Sequence, residues 1–134
     1  MTQQILFVDD TKDFVEYASK RLRARGYDVT TANCGEEALR VVEARDLDVV
    51  ILDILMPGMN GVETLSAIKE IKPDLQVVML TGHGTEESAE RGMALGAFEY
   101  LLKPVEFGAL LEVIGKAMEA RGSDRCQENP SRAD

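Results

Sequence analysis

Asp48-Val49-Val50-Ile51-Leu52-Asp53-Ile54-Leu55-Met56-Pro57-Gly58-Met59-Asn60-Gly61 is the stretch around which the chain is organised. Four apolar residues, Val49 to Leu52, run straight into the acid of Asp53. A short run rich in β-branched residues reads as a strand buried on both faces. Such a strand ends where the chain meets water, and Pro57-Gly58 and Asn60-Gly61 break the chain just beyond it. In a parallel sheet, chemistry gathers at the carboxyl ends of the strands. Position alone therefore makes Asp53 a candidate reactive group. Without other acids nearby, a solvated turn acid would be the stronger reading.

The same form recurs upstream. Ile5-Leu6-Phe7-Val8 is an apolar run that ends in Asp9-Asp10. Phe14, Val15, Ala18 and Leu22 then recur at helical spacing, which predicts a helix over 11–25 stopped by Gly26. Tyr27 to Thr31 reads as a strand and Gly35 to Arg45 as a helix with Glu36 and Glu37 in its first turn, where acids suit the dipole. Beyond the opening stretch, Asn60 is placed to cap a third helix that Pro73 ends. Leu75 to Leu80 reads as a strand, and Thr85 to Leu95 as a weakly amphipathic helix with Gly92 inside it. Phe98 to Leu102 is the fifth strand, and a last helix runs from about Val105 to Arg121. Strand and helix alternate five times over short loops. That pattern calls for an α/β fold: a doubly wound, five-stranded parallel sheet of (βα)5 form with helices on both faces. The flavodoxin-like strand order 2-1-3-4-5 is the natural one. Residues 1–121 are expected to form one domain. Residues 122–134, dominated by Gly, Ser, Asp, Arg, Gln, Glu, Asn and Pro, are expected to be a disordered tail or the start of a linker.

Composition narrows the function classes. A chain of 134 residues, 45% hydrophobic, has enough material for one real core. It has no apolar run long enough to span a bilayer and no secretory signal at Met1-Thr2-Gln3-Gln4, so a cytoplasmic location with no membrane partner is expected. A net charge of −9 argues against nucleic acid as a direct partner. One His and two distant Cys make a zinc or redox site a poor fit.

The ligand crevice of a doubly wound sheet forms where the winding reverses, here between the first and third strands. Asp9, Asp10 and Asp53 end those two strands, while Thr81 and Lys103 end the fourth and fifth on the same rim. Two carboxylates about 4 Å apart repel by roughly 4 kcal/mol at an effective dielectric near 20. Three of them need a cation, or one must take a proton. Oxygen donors without Cys or His indicate Mg2+, with Mn2+ or Ca2+ as alternatives. The first strand–helix turn, Val8 to Asp13, has neither a dinucleotide fingerprint nor a P-loop.

On these residues the sequence closely resembles the receiver domain of two-component response regulators. The resemblance is carried by Val8-Asp9-Asp10, by Leu52 to Gly61 with its Asp53, Met56-Pro57-Gly58 and Gly61, by Leu80-Thr81-Gly82, and by Gly96 to Pro104. It spans about residues 4 to 120. It implies that Asp53 is the phosphoacceptor, taking a phosphoryl group from a sensor histidine kinase or histidine phosphotransfer protein. It implies that Asp10 and Asp53 ligate Mg2+ directly, that Asp9 does so mostly through water, and that the backbone carbonyl of Leu55 completes the protein ligands. Lys103 would pair with Asp53 and then with a phosphoryl oxygen, and Thr81 would bond another. The family switch couples Thr81 to an aromatic on the fifth strand, here Tyr100, and the Lys103–Pro104 bond is typically cis. His83 and Leu55 flank the path of attacking water and would tune phosphate lifetime.

The resulting expectation is a phosphorylation-dependent signalling switch whose output surface is the face of helix four, strand five and helix five. Its partners would be the phosphodonor and a downstream protein or an output domain, with a phosphorylation-dependent homodimer as a further state. Such a domain catalyses its own phosphorylation and dephosphorylation rather than turning over external substrates. No DNA-binding module is expected after Gly122. Two other readings stay open: a Mg2+-dependent phosphatase with Asp53 as nucleophile, and a binding module that works without phosphorylation. A haloacid-dehalogenase-type phosphatase would want a second acid two residues after Asp53, where Leu55 stands.

Overall fold

The five apolar runs become five parallel strands: β1 (Gln4–Val8), β2 (Asp28–Ala32), β3 (Val49–Asp53), β4 (Gln76–Thr81) and β5 (Glu99–Leu102). Between and after them lie α1 (Lys12–Ala24), α2 (Gly35–Ala44), α3 (Gly61–Ile71), α4 (Glu86–Ala94) and α5 (Phe107–Glu128). The structure is a computed structural model that describes residues 3–54, 61–82 and 86–128. The strand order is β2-β1-β3-β4-β5, as the alternation of elements predicts.

Unbroken apolar runs are needed here because both faces of the sheet are covered. On one face Leu6, Val8, Val50, Leu52, Val77 and Met79 pack with Ala38 and Val42 of α2, Leu65 and Ile68 of α3, and Ala89 of α4. On the other, Ile5, Phe7, Val49, Ile51, Val78 and Leu80 meet Ala18 and Leu22 of α1 and Leu110 and Ile114 of α5. Alternation within each run thus sorts side chains between two cores, not between core and water. β3 is buried along its whole length, the acid at its end included.

The helix ends follow their local chemistry. Gly26 and Gly96 take positive φ, 96° and 110°, just after α1 and α4. In each case the glycine, separated from the helix end by one residue, and the residue after it return hydrogen bonds to the last turn: Gly26 to Arg23 and Tyr27 to Leu22, Gly96 to Met93 and Ala97 to Gly92. The last helix departs from expectation. It continues to Glu128, past the stop expected near Arg121, so the backbone of residues 122–128 is helical. Polar composition says little about backbone hydrogen bonding, and no proline interrupts the chain before Pro130. The N-cap expected at Asn60 lies outside the described residues.

Two glycines set how closely elements approach. Gly92, which costs about 1 kcal/mol against Ala by helix propensity, lets α4 lie against β4 and α3. A β-carbon there would collide with Met79 Sδ and come within 3.3 Å of Leu65 Cδ2. Gly61 opens α3 with its N–H 2.8 Å from the Ile54 carbonyl oxygen, bringing the helix back to the end of β3. A β-carbon on Gly61 would strike Ile54 Cα and come within 2.9 Å of the carbonyl oxygens of Asp53 and Ile54. Backbone gives way less readily than a side-chain tip. Gly61→Ala is therefore expected to lower the unfolding free energy by about 1–3 kcal/mol in urea titration, and an unchanged midpoint would contradict this packing.

Candidate functional site

Strand register assembles the site. Val8 stands beside Leu52 in the β1–β3 pair, so the residues that follow, Asp9 and Asp53, end neighbouring strands side by side. Asp53 in turn lies beside Leu80, and Thr81 beside Leu102, which brings Thr81 and Lys103 to the same rim. Backbone bonds extend the pairing past the strands: Asp9 N–H to the Ala32 carbonyl at 3.1 Å, Ile54 to Leu80 at 3.0 Å, and Lys103 to Thr81 at 2.6 Å. Lys103 is joined to Pro104 by a cis peptide bond, as the resemblance implies.

The two acids that end β1 have different environments. Asp9 is buried, and its Oδ1 accepts the N–H of Thr11 at 2.9 Å. This is a side-chain turn that satisfies one donor at the start of α1, where Thr11 makes no side-chain cap of its own. Asp10 is exposed. Asp53 is buried, with 4% of its surface accessible.

Lys103 ties the buried acids together. Its Nζ lies 3.1 Å from Asp9 Oδ2 and 3.3 Å from Asp53 Oδ2. The contact with Asp9 is ionic but off the hydrogen-bond direction, so Oδ2 of this buried carboxylate has no well-formed hydrogen bond. One carboxylate oxygen from each of Asp9, Asp10 and Asp53 can be chosen so that all three lie within 4.8 Å of one another. Three carboxylates and one ammonium leave the cluster with excess negative charge. The hard oxygen donors and the excess negative charge together fit a small divalent cation. Burial, the largest single influence on Lys103, lowers its pKa, but the charges of Asp53 and Asp9 and its contacts with them outweigh burial and leave it above the ordinary 10.5.

Thr81 is buried, and its hydroxyl donates to the Leu101 carbonyl at a long 3.4 Å. It is turned toward β5. Tyr100, beside Met79 in the β4–β5 register, is 37% exposed. A groove of about 420 Å³ runs beside the cluster. It is lined by Asp9, Asp10 and Glu16 and by Thr31, Asn33 and Glu37, and does not reach Asp53 or Lys103.

The structure thus brings together Asp9, Asp10, Asp53, Thr81 and Lys103 as expected. Leu55 and His83 lie outside the described residues. Sequence reasoning paired Lys103 with Asp53 alone and missed its nearer contact with Asp9. The Asp9-x-Thr11 spacing signals the side-chain turn, but nothing local signals the shared ammonium. Sequence reasoning also missed Phe14, whose ring faces Lys103 Nζ at 5.7 Å and which reads in sequence as one more core position of α1.

With fold and site in view, the comparisons with known proteins agree. The response regulator receiver domain model matches residues 5–115, and the chain belongs to that family. It is 36% identical over 115 residues to the Escherichia coli K12 transcriptional regulatory protein GlrR, a match covering 86% of this chain and 26% of that one. The chain therefore spans about a quarter of that relative's length. A receiver domain protein from Clostridium thermocellum superposes with a TM-score of 0.85 at 37% identity, covering 90% of this chain and 97% of the other. A CheY-like receiver domain protein from Methanospirillum hungatei JF-1 superposes with a TM-score of 0.89 at 28% identity, covering 92% and 99%. Among the described residues no helix is long and apolar enough to cross a membrane.

Removing Lys103 would leave two buried carboxylates facing each other. Lys103→Met is expected to lower stability at pH 7 by about 1–3 kcal/mol, measured by urea unfolding. The folded-state pKa of Lys103 is raised above its unfolded value. Its stabilisation is therefore complete below pH 10.5 and is lost as pH rises through the folded-state pKa. The gap between wild type and variant should stay constant from about pH 7 to 9 and close above 10.5. A gap that already closes near pH 8 would refute this account of the pair.

Proposed function

We propose that the protein is a phosphorylation-dependent signalling switch in which Asp53 accepts a phosphoryl group. The observation that carries this reading is the placement of the buried Asp53 carboxylate 3.3 Å from the Lys103 ammonium, beside two further acids at the reversal of the sheet. The donor would be a phosphohistidine on a sensor histidine kinase or a histidine phosphotransfer protein. An Asp53 oxygen attacks phosphorus; the new P–O bond forms as the P–N bond breaks, and the ring nitrogen keeps the electron pair. Lys103 then follows the negative charge from the carboxylates to a phosphoryl oxygen. The Thr81 hydroxyl donates to another.

The donor set suits Mg2+, with Mn2+ as the alternative. Asp10 and Asp53 would hold the ion directly, Asp9 mostly through water, and the Leu55 carbonyl would complete the protein ligands. The engagement of Asp9 with Thr11 and Lys103 supports an indirect role for it. When bound, the ion neutralises charge on the arriving phosphoryl group.

Thr81 turned to β5 and Tyr100 exposed at the surface fit the arrangement such a switch would have before phosphorylation. When Thr81 swings to the phosphoryl group, space opens for Tyr100 to turn inward. The face of α4, β5 and α5 is then the output surface, and Tyr100 and Leu102 of β5 stand exposed. Its occupant would be a downstream protein, an output domain or, in the phosphorylated state, a second copy. The domain would work in the cytoplasm without touching nucleic acid itself. Its compact unit would close near residue 121, with 122–134 as tail or linker.

Incubation with a small acyl phosphate and Mg2+, followed by intact mass and phosphate release, tests the chemistry. A single phosphoryl adduct is expected in the wild type, and none in Asp53→Asn or with a chelator present. Rapid turnover of varied phosphoesters would make the protein a phosphatase instead, and no adduct at all would leave a binding module. Amide hydrogen exchange should also change across α4 and β5 on phosphorylation, and identical exchange there would remove this face as the output surface.

A further inference from the structure

We infer that Phe14 is a positioning residue for Lys103, an aromatic seat that keeps the ammonium at the mouth of the acid cluster. The inference rests on the reading of Lys103 as the group that follows the phosphoryl charge. Among the described residues, Lys103 Nζ meets Asp9 at 3.1 Å, Asp53 at 3.3 Å and the centre of the Phe14 ring at 5.7 Å. The last falls within the range of attraction between a cation and an aromatic face.

The ring is held in place from behind. Phe7, fully buried in β1, meets Phe14 with ring centres 5.7 Å apart and planes at 67°, an edge-on arrangement that sets the orientation of the half-buried ring. A second contact of the same kind fastens the helix that carries it. Arg21, about two helical turns along α1, lays its guanidinium over the Phe107 ring at the start of α5, 4.5 Å from the centre. Helix α1 thus offers an aromatic ring to the cation at the end of β5 and a cation to the aromatic at the start of α5. The two contacts stitch α1 to the segment that bears Lys103.

An aromatic seat suits this task better than a third acid would. The ammonium must stay in the cleft yet be free to leave the carboxylates for a phosphoryl oxygen. A ring face attracts it without a fixed hydrogen-bond direction, adds no negative charge beside three carboxylates, and shields that side of the ammonium from water.

The test uses the full chain with Phe14→Leu and Phe14→Tyr. Lysine ε-methylene resonances are recorded by NMR, that of Lys103 being assigned by its loss in Lys103→Met. In the wild type, and in Phe14→Tyr, this resonance should be displaced by the ring current. In Phe14→Leu it should return toward the position of the exposed lysines. The rate of adduct formation from a small acyl phosphate with Mg2+ should fall about three- to tenfold in Phe14→Leu and stay within about twofold of wild type in Phe14→Tyr. An undisplaced Lys103 resonance in the wild type overturns the inference, and this reading needs no folded variant. So does a Phe14→Leu protein that is phosphorylated at the wild-type rate, or a Phe14→Tyr protein as slow as Phe14→Leu. A wild type that forms no adduct yet keeps the displaced resonance would defeat the proposed phosphorylation while leaving the seat of Lys103 intact.

Discussion

The ammonium of Lys103 between Asp9 and Asp53 is the contact on which the rim of the sheet depends. Parallel strands must end somewhere. Here β1 and β3 end in carboxylates that are both buried, side by side, with a third acid next to them. Like charges at that spacing repel by several kcal/mol unless something offsets them. One lysine, brought from the far edge strand, does so in part. The remaining negative charge on these hard oxygen donors suits a small divalent cation.

The architecture around this contact consists of close approaches. Gly61 returns the chain to the end of β3, and Gly92 lets α4 lie against Met79. Helix α4 seats on the sheet through this glycine and the buried Ala89. Beside it, Leu102 and Tyr100 on the edge strand stay open to solvent.

Much of this was legible in the chain itself. The apolar runs and their breakers located all five strands, and the alternation with helices led to the strand order 2-1-3-4-5 that the structure has. Three acids, Thr81 and Lys103 at strand ends marked the rim because strand ends face one side in a parallel sheet. Boundaries moved by a residue or two, as where the second strand starts at Asp28 and not Tyr27. The larger departure is α5. Its polar extension reads as tail by composition, yet its backbone continues to Glu128, because helix termination needs a specific stop that polar residues do not supply.

Local pattern thus sufficed for what depends on neighbours in sequence: which residues form strands, which turns follow them, and which chemical groups reach the rim. It did not separate Asp9 from Asp10. Adjacent residues past a strand end point different ways, and only packing made one buried and the other exposed. Nor did it reveal that one ammonium serves two acids, or that Phe14 faces that ammonium from a helix nearly ninety residues away in sequence. Those contacts join β1, α1, β3 and the end of β5. Their distances are set by strand register and by how helices seat on the sheet, and no periodicity within a single element records either.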